Sequence, residues 1–326
     1  MIERYKLILT VSLAVAAAAV VASAQQGWSQ GQTIKQGSGA AAVNAVYYDG
    51  DDIWVVGAHG FVARSPDDGG TFQESRVGID EGLNDVYKRG DRIWIVGDHG
   101  TILRSTDDGR SFIRTTTSPA SGSAGGGSQS RSGPIDLYSV LFTDPNRGFI
   151  VGDHGLILAT SDSGLSWREQ RSGTDAQLFH LSFQGDRGWV VGTGGVVLHT
   201  DDGGKNWYPQ RSGVSEDLNR VYMVSDRKGL ITGDKGTLLD TENGGATWSR
   251  VSLRVNEPLF GVSFTDKKTG WVVGYGGRII RTYDGGHNWV EQSSGTQADL
   301  FGVSFHKNRG YAIGRDGVVM RYYERR

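Results

Sequence analysis

Gly270-Trp-Val-Val-Gly274-Tyr-Gly-Gly277-Arg-Ile-Ile-Arg281-Thr-Tyr-Asp284-Gly-Gly286-His-Asn-Trp289 decides how this chain folds. Short runs of β-branched and aromatic residues cut by glycines favour strands over helices. The Gly-x-x-Gly between two such runs reads as a tight turn, where glycine tolerates positive φ. The same phrase recurs at Trp54-Val-Val-Gly57, Trp94-Ile-Val-Gly97, Phe149-Ile-Val-Gly152, Trp189-Val-Val-Gly192, Leu230-Ile-Thr-Gly233 and Tyr311-Ala-Ile-Gly314. The steps between these glycines are 40, 55, 40, 41, 41 and 40 residues. A Gly/Ser-rich insertion at 118–133, read as a flexible loop, accounts for the one long step. A fixed period of this size is the signature of a repeat architecture.

Each repeat resolves into four short strands. The first has the form of Leu137–Phe142, Leu178–Phe183, Leu259–Phe264 and Leu300–Phe305, and the aromatic-Val-Val segment is the second. The third follows the turn, as in Thr101-Ile-Leu-Arg104, and the fourth starts at Phe72, Phe112, Trp167, Trp207, Trp248 or Trp289. Tandem four-stranded units predict a propeller, whose sheets pack on both faces and so need strands that are apolar on both sides. An open solenoid would leave bare faces or edges. The seventh repeat stops after its third strand, and residues 27–37 are expected to supply the missing fourth. There Gly31-Gln-Thr-Ile34 aligns with Gly245-Ala-Thr-Trp248, which puts Ile34 in the aromatic place. The expected fold is all-β, a seven-bladed β-propeller of four-stranded blades, closed by an N-terminal strand and spanning residues 25–326.

Composition agrees. Fifty Gly without a Gly-X-Y period imply many tight turns, and nine Trp with twelve Tyr supply burial. The balance of 34 Lys+Arg against 36 Asp+Glu gives no electrostatic case for nucleic acid. The chain has no Cys, which excludes disulfides, thiolate metal sites and Cys-linked lipidation. A charged start, an apolar run from Leu7 to Val21 and Ala22-Ser-Ala24 read as a secretory leader over residues 1–24, cleaved after Ala24. The rival reading is an uncleaved N-terminal membrane anchor. A cleaved leader places the protein in a periplasm or outside the cell.

Between the third and fourth strands lies Ser/Thr-x-Asp-x-Gly-x-Ser/Thr/Asn-aromatic. Its acidic position is Asp67, Asp107, Asp162, Asp202 and Asp284, with Asn243 in the fifth copy. A short carboxylate there accepts hydrogen bonds from its own turn, so these residues are expected to be structural. An amide can do the same, as Asn243 suggests.

This is the Asp-box, or BNR, motif of sialidase-like propellers. Asp-boxes combined with Gly-Trp-Val-Val-Gly-x-x-Gly resemble the photosystem II stability/assembly factor family over roughly residues 27–323, and a bacterial member is the expectation. The resemblance implies a lumenal or thylakoid-associated propeller that helps assemble the photosystem II reaction centre, and an arginine-rich patch. The sequence departs from a cyanobacterial member in having no lipid-attachment Cys.

Catalysis is not expected. A sialidase needs an arginine cluster, a Tyr/Glu pair and an acid/base Asp. The Arg-Ile-Pro entry motif is absent, with Phe61-Val-Ala-Arg64-Ser-Pro66 the nearest match. No Gly-x-Ser-x-Gly, His-Glu-x-x-His or phosphate loop occurs.

The positions that vary between repeats are the candidate binding residues. The third residue of each first strand is Ala45, Asp85, Ser139, His180, Arg220, Gly261 or Gly302. If first strands line a channel, Asp85, His180 and Arg220 gather near one mouth, as a site or as a self-satisfied polar network. The Gly-x-x-Gly turns carry His59, Asp98 with His99, and Asp153 with His154. They are expected to share a face with the loops joining blades, and to be too far apart to hold one metal ion. The arginines ending third strands, Arg64, Arg104, Arg281 and Arg321, read as stems covering blade surface with heads in water. The expected function is a non-catalytic, peripheral and monomeric assembly or scaffold factor for a membrane or envelope protein complex, with no cofactor and no metal. A glycan-binding or sialidase-like glycoside hydrolase propeller is the alternative.

Overall fold

The structure is a computed structural model. It describes residues 27–323 apart from 32, 37–38, 41, 51, 76 and 116–134, so the leader and the 118–133 insertion lie outside the described residues. Seven four-stranded antiparallel sheets follow one another along the chain, over residues 43–75, 83–114, 137–170, 178–211, 218–250, 259–292 and 300–323. These are blades 1 to 7. A two-residue hairpin, Lys35–Gln36 with Gly39–Ala40, joins the closing strand to blade 1. The seven first strands contact one another in a complete circle, with that of blade 7 against that of blade 1.

The core is divided among the interfaces. Seven hydrophobic clusters each draw on two neighbouring blades, and the last joins Tyr311, Ile313 and Val319 of blade 7 to Val43, Val55 and Phe61 of blade 1. Second strands such as Ile53–Gly57 and Gly148–Gly152 are buried along their whole length, and the others at least from their second residue on. No single blade can bury both of its apolar faces, so closing the ring is what removes them from water.

The two repeated motifs fit each other across these interfaces. The aromatic that opens a second strand lies under the Asp-box glycine of the next blade. A Cβ on Gly109 would stand 2.1 Å from Trp54, and one on Gly245 would stand 2.2 Å from the Trp189 indole nitrogen. Trp94 donates its indole N–H to the Ser163 carbonyl, 3.0 Å away in the Asp-box of blade 3. Within a box the carboxylate is fully engaged. Asp162 accepts from the Ser166 N–H (3.0 Å), the Ser166 hydroxyl (2.6 Å) and the Thr160 hydroxyl (2.7 Å). Asn243 keeps the pattern, accepting from the Thr247 N–H at 3.0 Å and donating to the Thr247 hydroxyl at 2.8 Å.

The N-terminal segment closes the ring, with a different register from the one the sequence suggests. Strand Gly27–Gln30 pairs antiparallel with Val319–Tyr323, matching Trp28 to Tyr322 and Ser29 to Arg321. Blade 6 pairs Arg281 with Val290, so the place of Trp289 falls to Trp28 and not to Ile34. Trp28 also reproduces the hydrogen bond of its counterparts. It donates to Gln292 at 3.2 Å, as Trp207 does to Gln170 at 3.1 Å. Ile34 is buried instead in the cluster between blades 7 and 1. A polar lock completes the seam, in which Asp68 of the first Asp-box receives the hydroxyls of Tyr311 and Tyr323 and the Arg309 guanidinium.

Candidate functional site: the channel and its mouth

Each first strand carries a β-bulge at its second residue, as between Leu137 and Ser139 or Leu218 and Arg220. The bulge breaks simple alternation. The first residue stays in the inter-blade core, the second turns outward at the mouth, and the third lies at the inner edge of the ring against the first strand of the next blade, as Asp85 does on Ser139 and Val140. The first strand begins opposite the end of the second, where Leu137 pairs with Gly152. The mouth therefore shares a face with the Gly-x-x-Gly turns and the inter-blade connections.

The lumen gathers the three predicted residues. Asp85 and Arg220 belong to blades 2 and 5, which are not neighbours, yet they feel each other's charge across the channel. Asp85 is spent locally. Its carboxylate accepts from the Ser139 hydroxyl at 2.9 Å, the Val140 N–H at 3.0 Å and the Val86 N–H at 2.9 Å. Burial pushes its carboxyl up, partly offset by the Arg220 charge and these bonds. His180 is driven well below the ordinary histidine range, first by burial and then by the adjacent Arg220. The self-satisfied network is thus half present, because Asp85 is paired with blade 3 while His180 Nδ1 and Arg220 Nε have no hydrogen-bond partner.

The sequence reading missed the rim. Second-position residues are Asn44, Asn84, Tyr138, Phe179, Asn219, Phe260 and Phe301. Phe260 and Phe301 meet edge to face at 5.7 Å, and Tyr138 and Phe179 at 5.4 Å. The asparagines cross-brace the ring, since Asn84 donates to the Leu137 carbonyl at 3.0 Å and Asn219 to the Leu259 carbonyl at 3.0 Å. The available signal was the variation of this position between Asn and aromatics.

The turn aspartates hold this rim. Asp98 accepts from Asn84 at 2.9 Å, and Asp153 from Tyr138 at 2.9 Å and Gln177 at 2.8 Å. Burial works against ionisation of Asp153. The Asp136 N–H, Gln177 and Tyr138 outweigh it and keep the carboxyl below its usual range. His59, His99 and His154 sit one position later, exposed, with φ of 53°, 54° and 53°. Blades 4 and 6 place Gly194 and Gly276 there. His59 also lies 3.0 Å from Asp80.

The strand-ending arginines depart from expectation, since their heads are not all in water. Arg281 is 2% exposed, lies 4.5 Å over the Trp271 ring and donates to the Tyr322 hydroxyl. Arg64 bridges Asp52 (2.6 Å) and Asp108 (2.9 Å), and Arg104 donates to the Ser163 carbonyl at 2.8 Å. They tie blades together. Among the described residues, Asp240, Glu242 and His287 could converge on a cation, but the Lys228 ammonium already pairs with both carboxylates. A cleft of about 740 Å³, lined among others by Leu198, Gln210, Val214 and Arg250, opens away from the channel.

The family model for photosynthesis system II assembly factor YCF48 matches residues 132–219 and 246–324, together just over half of the chain. No curated protein matches by sequence. Among solved structures, YCF48 bound to D1 peptide superposes with a TM-score of 0.75 at 19% identity, over 92% of this chain and 96% of that one. YCF48 from Cyanidioschyzon merolae gives 0.72 at 20%, over 91% and 98%. Virginiamycin B lyase from Staphylococcus aureus gives 0.75 at 10%, over 92% and 100%. Similarity at these identities establishes the fold, which enzymes and assembly factors share. Among the described residues no helix is long and apolar enough to cross a membrane. With two long matched stretches covering blades 3, 4, 6 and 7, the chain belongs to the photosystem II assembly factor YCF48 family.

Proposed function

We infer that this protein is a non-catalytic assembly factor that docks peripherally on a membrane protein complex, through the face bearing the channel mouth. Family membership is the observation that carries this reading. A relative of the same fold is named as bound to D1 peptide, which supports a membrane-protein partner here. The face suits the task. The paired rim aromatics, half-buried, offer apolar contact beside fixed amides, the combination that marks binding surfaces. Against catalysis stands the use of the motif carboxylates, all of which are consumed within their own turns. The leader-like first 24 residues support a place outside the cytoplasm, periplasmic or lumenal.

Affinity capture with the tagged protein from gently solubilised membranes of its own cells tests the proposal. Recovery of one membrane protein, and its loss on substitution of the rim, is the expected result. Repeated capture of no membrane protein would overturn it, as would turnover of a glycan by the purified chain.

A further inference from the structure

The central channel contains a cation whose counter-ion is missing. Arg220 projects into the lumen from blade 5, mostly buried, and among the described residues its Nε has no hydrogen-bond partner and no carboxylate forms an ion pair with it. Several other arginines of the ring are paired. Arg64 holds two carboxylates, Arg278 pairs with Glu257 and Glu291, and Arg315 grips Asp299 at 2.6 Å. The nearest opposite charge in the channel, Asp85, belongs to a blade across the lumen and has already given its oxygens to Ser139, Val140 and Val86. It attracts Arg220 through space without reaching it.

The neighbouring positions on the far side offer Arg220 no counter-charge. Next to Arg220 around the ring come Gly261, Gly302 and Ala45, which are buried against the following blade and carry no polar side chain. On the other flank stands His180, whose Nδ1 is fully buried and unpartnered. Held neutral beside a guanidinium, with a ring hydrogen bond to the Val221 backbone, it adds no competing charge. A guanidinium withdrawn from bulk water costs free energy unless something ionic meets it. Its planar fork matches two oxygens of one oxyanion.

We propose that the channel is a binding site for one small oxyanion, a carboxylate or phosphate group, held by the Arg220 fork beside the neutral His180. The rim lies one residue above Arg220 on the same strand, at Asn219. A chain entering the mouth could therefore present a terminal or side-chain carboxylate to Arg220, and a free anion would reach the same fork.

Isothermal titration calorimetry on the full chain, in a buffer free of other oxyanions, tests this with four probes. They are sodium acetate, inorganic phosphate, a glycine-rich hexapeptide with a free C-terminal carboxylate, and its C-terminal amide. One-to-one binding of at least one oxyanion is expected, weakened at least tenfold in Arg220→Gln. Asp85→Asn removes the opposing charge across the lumen and is expected to tighten binding by about three- to tenfold. Should Arg220→Gln fail to fold, Arg220→Lys keeps the charge, loses the fork, and is expected to bind a carboxylate several-fold more weakly. Binding of the free-acid peptide without its amide or acetate identifies a chain terminus as the source. Acetate or phosphate binding as tightly as the peptide identifies a free anion. Three results would each sink the proposal: no heat from any probe at millimolar concentration, unchanged affinity in the Arg220 variant, or equal affinity in Asp85→Asn and wild type.

Discussion

At the scale of residues, the repeated glycines and aspartates do separate jobs that sequence inspection merges. The first glycine of Gly-x-x-Gly is extended backbone, with φ −166° at Gly152, so positive φ is not its reason. Close approach is. A Cβ on Gly152 would stand 2.3 Å from the Asp136 carbonyl oxygen, at the point where the bulged first strand crosses it. The second glycine is the one in the left-handed region, with φ 68° at Gly155. Gly152→Ala is therefore expected to cost about 2–3 kcal/mol by overpacking, read as a drop in chemical-denaturation stability; a change below a few tenths would refute the close-approach account. The Asp-box carboxylates give a pH signature. Asp162 is held at about 2, because the Ser166 and Thr160 hydrogen bonds overcome burial, which alone would raise it. Asp67 and Asp107 are likewise held at about 2 by their own turn bonds. A depressed folded value means that this stabilisation is complete above the unfolded value near 3.8 and is lost as pH falls towards 2. Asp162→Asn should imitate Asn243, folding well and flattening the fall in stability between those two pH values. Asp162→Ala should cost about 1–2 kcal/mol at neutral pH by leaving turn donors unmet. An identical acid profile in wild type and Asp162→Asn would count against the linkage.

At the scale of elements, the strand most exposed to loss is the closing one. Gly27–Gln30 is four residues long and holds blade 7 from the opposite end of the chain. Its anchor is Trp28, which packs 5.7 Å from Phe305 and 5.4 Å from Tyr322 and bonds to Gln292 in blade 6. Trp28→Ala removes the large side chain, its hydrogen bond and part of the cover over the Trp271–Phe305 stack, whose rings lie 3.9 Å apart. The expected cost is about 3 kcal/mol, the low end for such a truncation because Trp28 is only partly buried. Ile34→Ala serves as the comparison, since Ile34 packs in the seam without occupying the strand. Differential scanning calorimetry should then show a lower Tm for both variants. Hydrogen exchange should show faster loss of protection along Val319–Tyr323 for Trp28→Ala alone. Equal exchange in the two variants would remove Trp28 from its place in the closing strand.

At the scale of the whole molecule, the ring was legible because its period is a packing statement. Seven recurrences of the apolar phrase ending in Gly-x-x-Gly require seven interfaces, and seven inter-blade clusters are present. The lumenal trio was legible too, since Asp85, His180 and Arg220 break an otherwise small or apolar column. The closing register was not, because Gly31-Gln-Thr-Ile34 imitates the local approach to a fourth strand, while pairing with Val319–Tyr323 and the Gln292 bond are long-range. The rim escaped for a backbone reason. A bulge turns the second residue of every first strand out of the alternation that strand reading assumes, so Phe260 and Phe301 look like core and stand at the mouth. This position separates docking from folding. Leu259 and Leu300, one residue earlier, are fully buried, and replacing either would damage an interface. Phe260 and Phe301 touch each other over the opening, so Phe260→Ser with Phe301→Ser should change Tm by only a few degrees. The same pair should reduce capture of the membrane partner at least tenfold, a loss of about 1.4 kcal/mol or more. Asn44→Ala, on the same ring next to Phe301 but outside either aromatic pair, removes one amide and none of the apolar contact, and is expected to weaken capture far less than the double serine variant. Full capture by the double serine variant, with its Tm intact, would move the docking surface off the channel mouth and onto the outer flanks of the blades.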